Sequence, residues 1–192
     1  MLSSILLAAG KSKRMGRLKQ LMPWRQSTMV EQTIDNLLGS AVDEVIVVVG
    51  HRAEEVIKTI ATKPVKLVVN PDFEQGMSTS IMAGLSLVDN RIQAVMLALA
   101  DQPSIDSRTI NRLIDEFYSH DAGIVIPTYQ GGKGHPVIFA IKYKDELLGL
   151  TDDIGGRQIV ENHPDDILEV PVESESILAD IDTIADYWSH RS

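Results

Sequence analysis

The chain contains no cysteine among its 192 residues. That absence excludes disulfide bonds, thiolate metal sites and a cysteine nucleophile, and it agrees with a cytoplasmic location. Aromatic residues make up only 5% of the chain, so we expect an aliphatic core. Long apolar runs are also missing, and no basic segment precedes the short apolar run near the N-terminus. Neither a membrane span nor a signal peptide is therefore predicted.

Acidic residues are absent from the first thirty positions, although the formal net charge of the whole chain is -9. The same thirty positions carry six cationic side chains: Lys11, Lys13, Arg14, Arg17, Lys19 and Arg25. The pI near 5.0 argues against a general nucleic-acid-binding protein, which would show a basic surface over much of its area. A local cationic segment in an acidic chain favours a small polyanion, such as the phosphates of a nucleotide, over a merely solvated surface loop.

Buried apolar runs alternate with segments of helical spacing along the whole chain. Strands are predicted at residues 4–8, 44–49, 65–69, 94–99, 123–127, 137–140 and 167–172. Helices are predicted at residues 29–38, 52–61, 78–88, 107–118, 142–148, 157–162 and 183–190. This alternation predicts an α/β fold of three layers, with helices on both faces of a mostly parallel sheet. The length predicts a single domain over residues 1–192.

The cationic segment follows the strand at 4–8, at the end of the sheet where α/β proteins bind their ligands. Two familiar phosphate-binding motifs do not fit it. A Walker A loop needs four residues between its glycines, whereas five separate Gly10 from Gly16, and Arg17 follows. A dinucleotide fingerprint needs a glycine where Ser12 stands. The segment therefore supports neither a P-loop NTPase nor an ordinary Rossmann dehydrogenase.

A carboxylate, Asp101, emerges just after the buried strand at 94–99 and can face the same cleft. Mg²⁺ in proteins usually takes one or two carboxylates together with substrate phosphates, and Asp182 offers a second carboxylate. Each has an ordinary alternative role. Asp101 would also suit a turn, and Asp182 would also suit the N-cap of the last helix.

Three further segments carry weaker signals. Ser80 lies in a Gly-Met-Ser-Thr-Ser run before a helix, which can present N–H and hydroxyl groups to a ligand or simply cap the helix. His135 lies in a glycine-rich loop beside proline, where a structural role or a binding contact is favoured over acid–base catalysis. Arg157 follows two glycines and would either bind an acceptor's phosphate or mark a helix entry.

Several of these residues together resemble the motifs of a known family. Residues 7–16 read L-A-A-G-K-S-K-R-M-G, and Lys19 lies three positions beyond. This run resembles the signature loop L-A-A-G-x-S-x-R-M-G-x-x-K of the nucleotidyltransferases with a glycosyltransferase-A-like, or nucleotide-diphospho-sugar-transferase-like, fold. Asp101 in L-A-D-Q-P matches the metal aspartate of that family. Within the group, the chain is most similar to the molybdenum cofactor cytidylyltransferases.

The resemblance extends over nearly the whole chain and implies roles for individual residues. Nucleotide binding is implied for Ala8, Ala9, Gly10, Arg14, Gly16, Lys19 and Ser80. Catalysis is implied for Arg14, Lys19 and Asp101, with Mg²⁺ held by Asp101 and Asp182. Acceptor binding is implied for Gly134, His135, Pro136 and Arg157.

The implied reaction moves a nucleoside monophosphate from an NTP to the phosphate of a small acceptor and releases pyrophosphate. CTP is expected first, because relatives that use GTP carry glycine where this chain has Ala9. The expected acceptor is molybdenum cofactor (molybdopterin), with handover to a molybdenum hydroxylase as partner. The alternatives are GTP as donor, or a phosphorylated sugar, polyol or acid as acceptor. A second alternative is a non-catalytic protein that binds a pterin cofactor or a nucleotide.

One departure from the family pattern concerns the presumed acceptor region. Many relatives read G-D-x-G-A/G-R, whereas residues 152–157 of this chain read D-D-I-G-G-R. Asp152 therefore stands where those relatives have glycine. The difference bears on the acceptor pocket and leaves the residues of the implied chemistry unchanged.

Overall fold

The computed structural model describes residues 1–153 and 155–190. Its strands are β1 Leu2–Ala8, β2 Pro23–Trp24, β3 Ser27–Thr28, β4 Glu44–Val49, β5 Lys66–Val69, β6 Ala94–Leu99, β7 Ile124–Tyr129, β8 Gly132–Lys133, β9 Val137–Ala140 and β10 Ile167–Pro171. Its α-helices are α1 Met29–Leu38, α2 Ala53–Thr59, α3 Met77–Leu85, α4 Ser107–Ser119, α5 Lys144–Leu148, α6 Arg157–Asn162 and α7 Ile184–His190. Every predicted strand and helix is present; the largest boundary difference is the helix predicted at 78–88, which ends at Leu85.

The central sheet has the strand order β10-β7-β9-β6-β1-β4-β5, and β8 pairs with β7 at one side. Parallel pairing joins β6, β1, β4 and β5, and it also joins β10 to β7. Only β8 and β9 run antiparallel to their neighbours in this sheet of the described residues. The prediction of a mostly parallel α/β sheet is confirmed.

Two apolar clusters pack on the two faces of this sheet, because successive strand side chains point to opposite faces. Leu6 of β1 faces α1, α2 and α4, whereas Ile5 faces α3, α5 and α6. The three-layer prediction is therefore confirmed. The longest described helix, α4, has 13 residues. Among the described residues, no helix combines the length and apolar composition needed to cross a membrane.

The short elements around the site were not predicted. The β2–β3 hairpin has only two residues per strand, too few for hydrophobic periodicity to reveal. Its Trp24 belongs to a third apolar cluster that packs the C-terminal segment against the cationic loop: Met15, Met22, Trp24, Met29, Ile181 and Tyr187. The hairpin leads into α1, where Thr28 and Glu31 form a reciprocal capping box.

The strand pairing brings the two main predicted motifs to one edge of the sheet. Leu7 of β1 lies opposite Leu99 of β6 in a parallel register, so both strands end at the same level. The Ala100 N–H then donates to the Leu7 carbonyl at 3.2 Å. The loop that follows β1 and the turn that carries Asp101 are consequently neighbours, as expected for the carboxyl ends of adjacent parallel strands.

Asp152, the residue that departs from the family pattern, lies in the left-handed region with a φ of 57°. Glycine has no Cβ to clash there, so this conformation favours glycine. The Asp152 carbonyl accepts a hydrogen bond from the Ser78 N–H at 3.2 Å, which holds this turn against the start of α3. Ile154, in the same motif, lies outside the described residues. Asp152 thus holds this turn in a left-handed conformation at the cost of some strain.

We expect Asp152→Gly to stabilise the protein by about 1 kcal/mol, because it removes the Cβ from a left-handed backbone. For a chain of this size, that corresponds to a rise in Tm of about 2–4 °C. The control is Asp121→Gly, in an exposed loop where φ is not positive. This control should not raise Tm, since glycine there only increases the freedom of the unfolded chain. An equal or lower Tm for Asp152→Gly would contradict the prediction.

Candidate functional site

Two cavities lie side by side at the carboxyl edge of the sheet. The first has a volume of about 500 Å³ and contains seven predicted site residues: Ala9, Gly10, Arg14, Lys19, Ser80, Asp101 and Asp182. The second has a volume of about 520 Å³ and contains three: Gly134, His135 and Arg157. Leu7, Met77 and Leu99 line both cavities. The structure therefore groups most of the predicted nucleotide residues and most of the predicted acceptor residues in adjoining spaces.

The Lys19 ammonium group lies between two carboxylates in the first cavity. It donates to the Asp101 carboxylate and to Oδ1 of Asp182, the latter at 2.9 Å. Arg14 Nη1 reaches Oδ2 of Asp182 at 2.8 Å. Burial by itself would lower the pKa of Lys19, but the Asp101 and Asp182 carboxylates outweigh it and raise this pKa above its usual range. Lys19 is therefore a permanent cation at neutral pH.

Burial differs sharply among these charged groups. The side chains of Lys19 and Asp101 are 14% and 15% exposed, respectively, whereas that of Arg14 is 74% exposed. The Lys19–Asp101 pair thus forms the protected floor of the cavity, where charge interactions are screened least. Arg14 stands at the rim and is accessible to an incoming anion.

Gln20 is a site residue that the sequence reasoning missed. It is 2% exposed, and its amide donates to the carbonyls of Ala8 at 3.2 Å and Gly10 at 3.1 Å. Its carbonyl accepts from the Ser12 hydroxyl, which in turn accepts from the Lys19 N–H. Gln20 therefore holds the start and the end of the cationic loop together. A glutamine next to a lysine gives no sequence signal for such a role.

The opposite end of the first cavity is closed by small residues and one aromatic ring. A Cβ placed on Gly50 would lie 2.8 Å from the Phe73 Cβ and 2.9 Å from the Ala9 Cβ. The Lys11 ammonium lies 5.6 Å from the centre of the Phe73 ring and pairs with Glu74. Ala9 and Phe73, which both line the first cavity, thus limit the size of this end.

The start of α3 resolves one of the open alternatives. The Met77 N–H donates to the Asp153 carboxylate at 2.8 Å, and the Ser78 N–H is bound to the Asp152 carbonyl. Ser80 accepts a hydrogen bond from Asn70 at 3.0 Å and lines the first cavity. The first two N–H groups of this helix are therefore bound by the chain itself. What Ser80 contributes to the cavity is its side chain.

The start of α7 resolves a second alternative. Thr183 and Asp186 cap this helix reciprocally: the Thr183 N–H donates to Asp186 at 2.8 Å, and the Asp186 N–H donates to the Thr183 hydroxyl at 3.1 Å. Asp182 is not the capping side chain, and its carboxylate is directed to Lys19 and Arg14. The geometry favours the site role over the capping role for Asp182.

The second cavity is mainly apolar. Its walls come from strands and α6: Leu97, Ile126, Val137, Phe139, Val160 and Ile167. Burial lowers the pKa of His135, against the opposing effect of Asp180 and Asp101, so the imidazole is neutral at pH 7. Arg157 is 80% exposed and pairs with Glu161 at 2.8 Å. A bound molecule would meet apolar walls, a neutral imidazole and the side chains of Lys133 and Arg157.

Three predicted site residues do not line either cavity. Ala8 is 1% exposed and contributes only its carbonyl to the Gln20 contact. Gly16 has a φ of 63° and ends the helical turn Lys13–Met15, so it shapes the loop. Pro136 instead faces a small buried space beside Gln102. Ligand contacts for these three residues stay predictions.

A charged cavity at the carboxyl ends of parallel strands, joined to a larger apolar one, defines a class. Together with this sheet order, it is the arrangement of a nucleotidyltransferase with the nucleotide-diphospho-sugar-transferase fold. Residues 4–167 match the family model described as "MobA-like NTP transferase domain". The chain belongs to this family, which confirms the resemblance seen in the sequence.

Relatives and solved structures agree with this membership. Molybdenum cofactor cytidylyltransferase of Escherichia coli (strain K12) is 28% identical over 95% of this chain and 92% of its own. Nicotine blue oxidoreductase of Paenarthrobacter nicotinovorans is 29% identical over 95% of this chain and 92% of its own. The crystal structure of Rv0371c from Mycobacterium tuberculosis H37Rv superposes with a TM-score of 0.89 at 31% identity, covering 98% of this chain and 95% of that one. The same protein was also solved as a manganese complex, with a TM-score of 0.86 at 29% identity over 99% and 97% of the two chains.

We expect Gln20→Leu to destabilise the protein by about 2–3 kcal/mol, because the buried Ala8 carbonyl and the partly buried Gly10 carbonyl lose their donor. Gln20→Glu keeps the shape but cannot donate, so it should be at least as damaging. The exposed Gln26, in the turn between β2 and β3, provides the control Gln26→Leu. Urea unfolding of the four proteins measures the effect. Stabilities of Gln20→Leu and Gln26→Leu within 0.5 kcal/mol of each other, a value in the usual range for surface changes, would refute the assigned role.

Proposed function

We propose that this protein transfers CMP from CTP to the phosphate of molybdenum cofactor, releases pyrophosphate and uses Mg²⁺. The observation that carries the proposal is the Lys19 ammonium held between Asp101 and Asp182, in a cavity that adjoins a second, apolar one. The first cavity has the charges that a nucleoside triphosphate and a divalent cation require. The second has room for an acceptor next to it.

The residues of the first cavity fit a magnesium ion. Within residues 1–153 and 155–190, no cluster of three or more acidic or histidine side chains forms a ready-made metal site. Two carboxylates, Asp101 and Asp182, converge on one cation, the Lys19 ammonium. Two carboxylates with remaining positions open for substrate phosphates match the usual coordination of Mg²⁺. When bound, the ion would neutralise charge on the phosphates.

The chain's own groups would position the reactants. Lys19 and Arg14 would leave their carboxylate partners and pair with the triphosphate, so that no charge at the site is left uncompensated. An oxygen of the acceptor phosphate would form a bond to the α-phosphorus, and the bond between that phosphorus and the bridging oxygen of pyrophosphate would break. Such transfer depends on positioning and charge stabilisation more than on a protein base. The neutral His135 would serve as an acceptor contact.

The choice of CTP rests on the closed end of the first cavity. Ala9 and Phe73 both pack close to Gly50: a Cβ built on that glycine would lie 2.9 Å from the Ala9 Cβ and 2.8 Å from the Phe73 Cβ. A methyl group at this place reduces the space for a base, which favours a pyrimidine over a purine. The alternative donor is GTP. In that case, Ala9 would not limit the size of the base that binds.

The choice of a pterin-containing acceptor rests on the apolar walls of the second cavity. A flat ring system would cover the aliphatic and aromatic walls, whereas a sugar or polyol phosphate would place hydroxyl groups against them. Arg157 and Lys133, two cationic side chains that line this cavity, would pair with negative charge on the acceptor. Handover of the product to a molybdenum hydroxylase and a cytoplasmic location complete the proposal.

Two other activities are separated by experiment. A carrier of a pterin cofactor or a nucleotide would bind without releasing pyrophosphate, and it would not require Lys19, Arg14 and Asp101 together. The Paenarthrobacter relative is named as an oxidoreductase, so oxidation of a reduced nicotinamide cofactor is worth measuring in parallel. The chain lacks the dinucleotide fingerprint, which favours the transferase.

The direct test is pyrophosphate release with CTP, GTP, ATP and UTP, each with Mg²⁺ and with or without molybdenum cofactor. We expect release that needs both CTP and the cofactor. Release with CTP and a sugar phosphate, but not with the cofactor, would change the acceptor. Nucleotide binding without any release of pyrophosphate would favour the carrier. Consumption of a reduced nicotinamide cofactor in the parallel assay would favour an oxidoreductase.

Lys19→Ala should lower the turnover number by about 10²–10³-fold, the loss typical for one preorganised charge-stabilising group. Arg14→Ala should act in the same direction. The control is Lys58→Ala on the exposed side of α2, which removes one positive charge away from the site. Turnover of Lys19→Ala within threefold of the Lys58→Ala value would exclude the proposed role.

Ala9→Gly should raise the ratio of GTP to CTP turnover, since it removes the methyl group from the closed end of the cavity. A single methyl group in an apolar pocket gives about 10–200-fold discrimination at most, so a shift of roughly tenfold is expected. The matched control is Ala53→Gly at the start of α2, away from both cavities. An unchanged ratio in Ala9→Gly would remove this residue from base selection.

A further inference from the structure

Gln102 is a buried amide next to the site that the mechanism above does not use. It is 2% exposed and lies directly after Asp101 in the turn that follows β6. Its Nε2 donates to Asp180 Oδ1 at 2.8 Å and to the Ile177 carbonyl at 3.3 Å. Its Oε1 is buried and finds no partner among the described residues. The amide is thus oriented by the two bonds that it donates.

Both bonds run to the segment 177–182, which carries Asp182. Other contacts hold the same segment: the His135 N–H donates to the Ile177 carbonyl at 3.1 Å, and the Ile181 N–H donates to the Asp101 carbonyl at 3.4 Å. Gly134 approaches the Ile177 carbonyl so closely that a Cβ there would collide with it. Among these contacts, the Gln102 side chain is the one that bonds to both Ile177 and Asp180.

This connection matters because the segment has no regular secondary structure of its own at Asp182. Asp180–Thr183 lies between the helical turn Glu175–Leu178 and α7. Backbone bonds of a sheet or helix therefore do not fix the Asp182 carboxylate at 2.9 Å from Lys19. A side chain anchored beside Asp101 can align the two carboxylates with each other.

We infer that Gln102 is a positioning residue for the metal site. Its amide holds segment 177–182 against the turn after β6, so that Asp101 and Asp182 face the same cation. The inference rests on the proposed function, because it takes the cation that Asp101 and Asp182 would share to be a bound Mg²⁺. Gln102, the glutamine of the L-A-D-Q-P run, thereby has a role in the site that its burial alone would not indicate.

The test uses substitutions that separate positioning from general stability. Gln102→Leu removes both donated bonds, and Thr33→Val, which loses a buried hydrogen bond beside the same small space, serves as the matched control. Gln102→Glu places a carboxylate against Asp180. The double variant Gln102→Glu with Asp180→Asn exchanges the amide and the carboxylate, restores a donor–acceptor pair and keeps the total charge. Asp180→Asn alone completes the cycle.

The readout is Mn²⁺ binding in the presence of CTP, followed by electron paramagnetic resonance, alongside the Mg²⁺ concentration for half-maximal pyrophosphate release. Thermal melts of all variants report folding. We expect Gln102→Leu to raise the Mn²⁺ dissociation constant about tenfold, as is typical when a group that orients metal ligands is lost. Thr33→Val should lower Tm without this shift. The double variant Gln102→Glu with Asp180→Asn should have a Mn²⁺ dissociation constant within about threefold of that of Asp180→Asn alone. This is the result expected if the exchange restores the donor–acceptor pair and nothing else.

Two results would overturn the inference. One is Mn²⁺ binding by Gln102→Leu that matches Thr33→Val. The other is an exchanged pair that binds no better than Gln102→Glu. Failure of the proposed function is visible separately, as the absence of pyrophosphate release from the unmodified protein with every nucleotide. In that case Mn²⁺ binding by the variants still decides the role of Gln102, and failure of the unmodified protein to bind Mn²⁺ overturns both.

Discussion

The ion cluster of Lys19, Asp101 and Asp182 is the constraint on which the site depends. Its members are separated by 82 and 163 positions in the sequence, yet one ammonium group bonds to both carboxylates. The side chains of Lys19 and Asp101 are largely shielded from solvent. Water therefore could not replace either partner of this pair without a loss of stability. The cationic loop, the turn after β6 and the C-terminal segment must therefore fold together for any one of them to be in place.

The sheet supplies the rigid part of this arrangement, and amide side chains supply the rest. Parallel pairing of β1 with β6 sets the level at which the loop and the Asp101 turn begin. Gln20 then fixes the loop through the Ala8 and Gly10 carbonyls, and Gln102 ties the C-terminal segment to the turn. Irregular segments next to a ligand site need such bonds because no ladder of backbone hydrogen bonds holds them.

The two cavities differ in a way that suits two different substrates. One is lined by Arg14, Lys19, Asp101 and Asp182, and the other has mainly apolar walls. Leu7, Met77 and Leu99 separate them and are common to both. The proposed transfer to a pterin-containing acceptor would use this division, because polar groups and apolar walls each favour a substrate of matching polarity.

The sequence alone determined the alternation of strands and helices, the cationic loop after β1 and the carboxylate after β6. Hydrophobic periodicity and residue type are local properties, so they can be read without a structure. Only the tertiary structure decided that Asp182 faces Lys19 while Thr183 and Asp186 cap α7, and that Gln20 and Gln102 are buried anchors. These outcomes depend on contacts between residues far apart in the chain, and no local pattern encodes which of two neighbouring polar side chains turns inward.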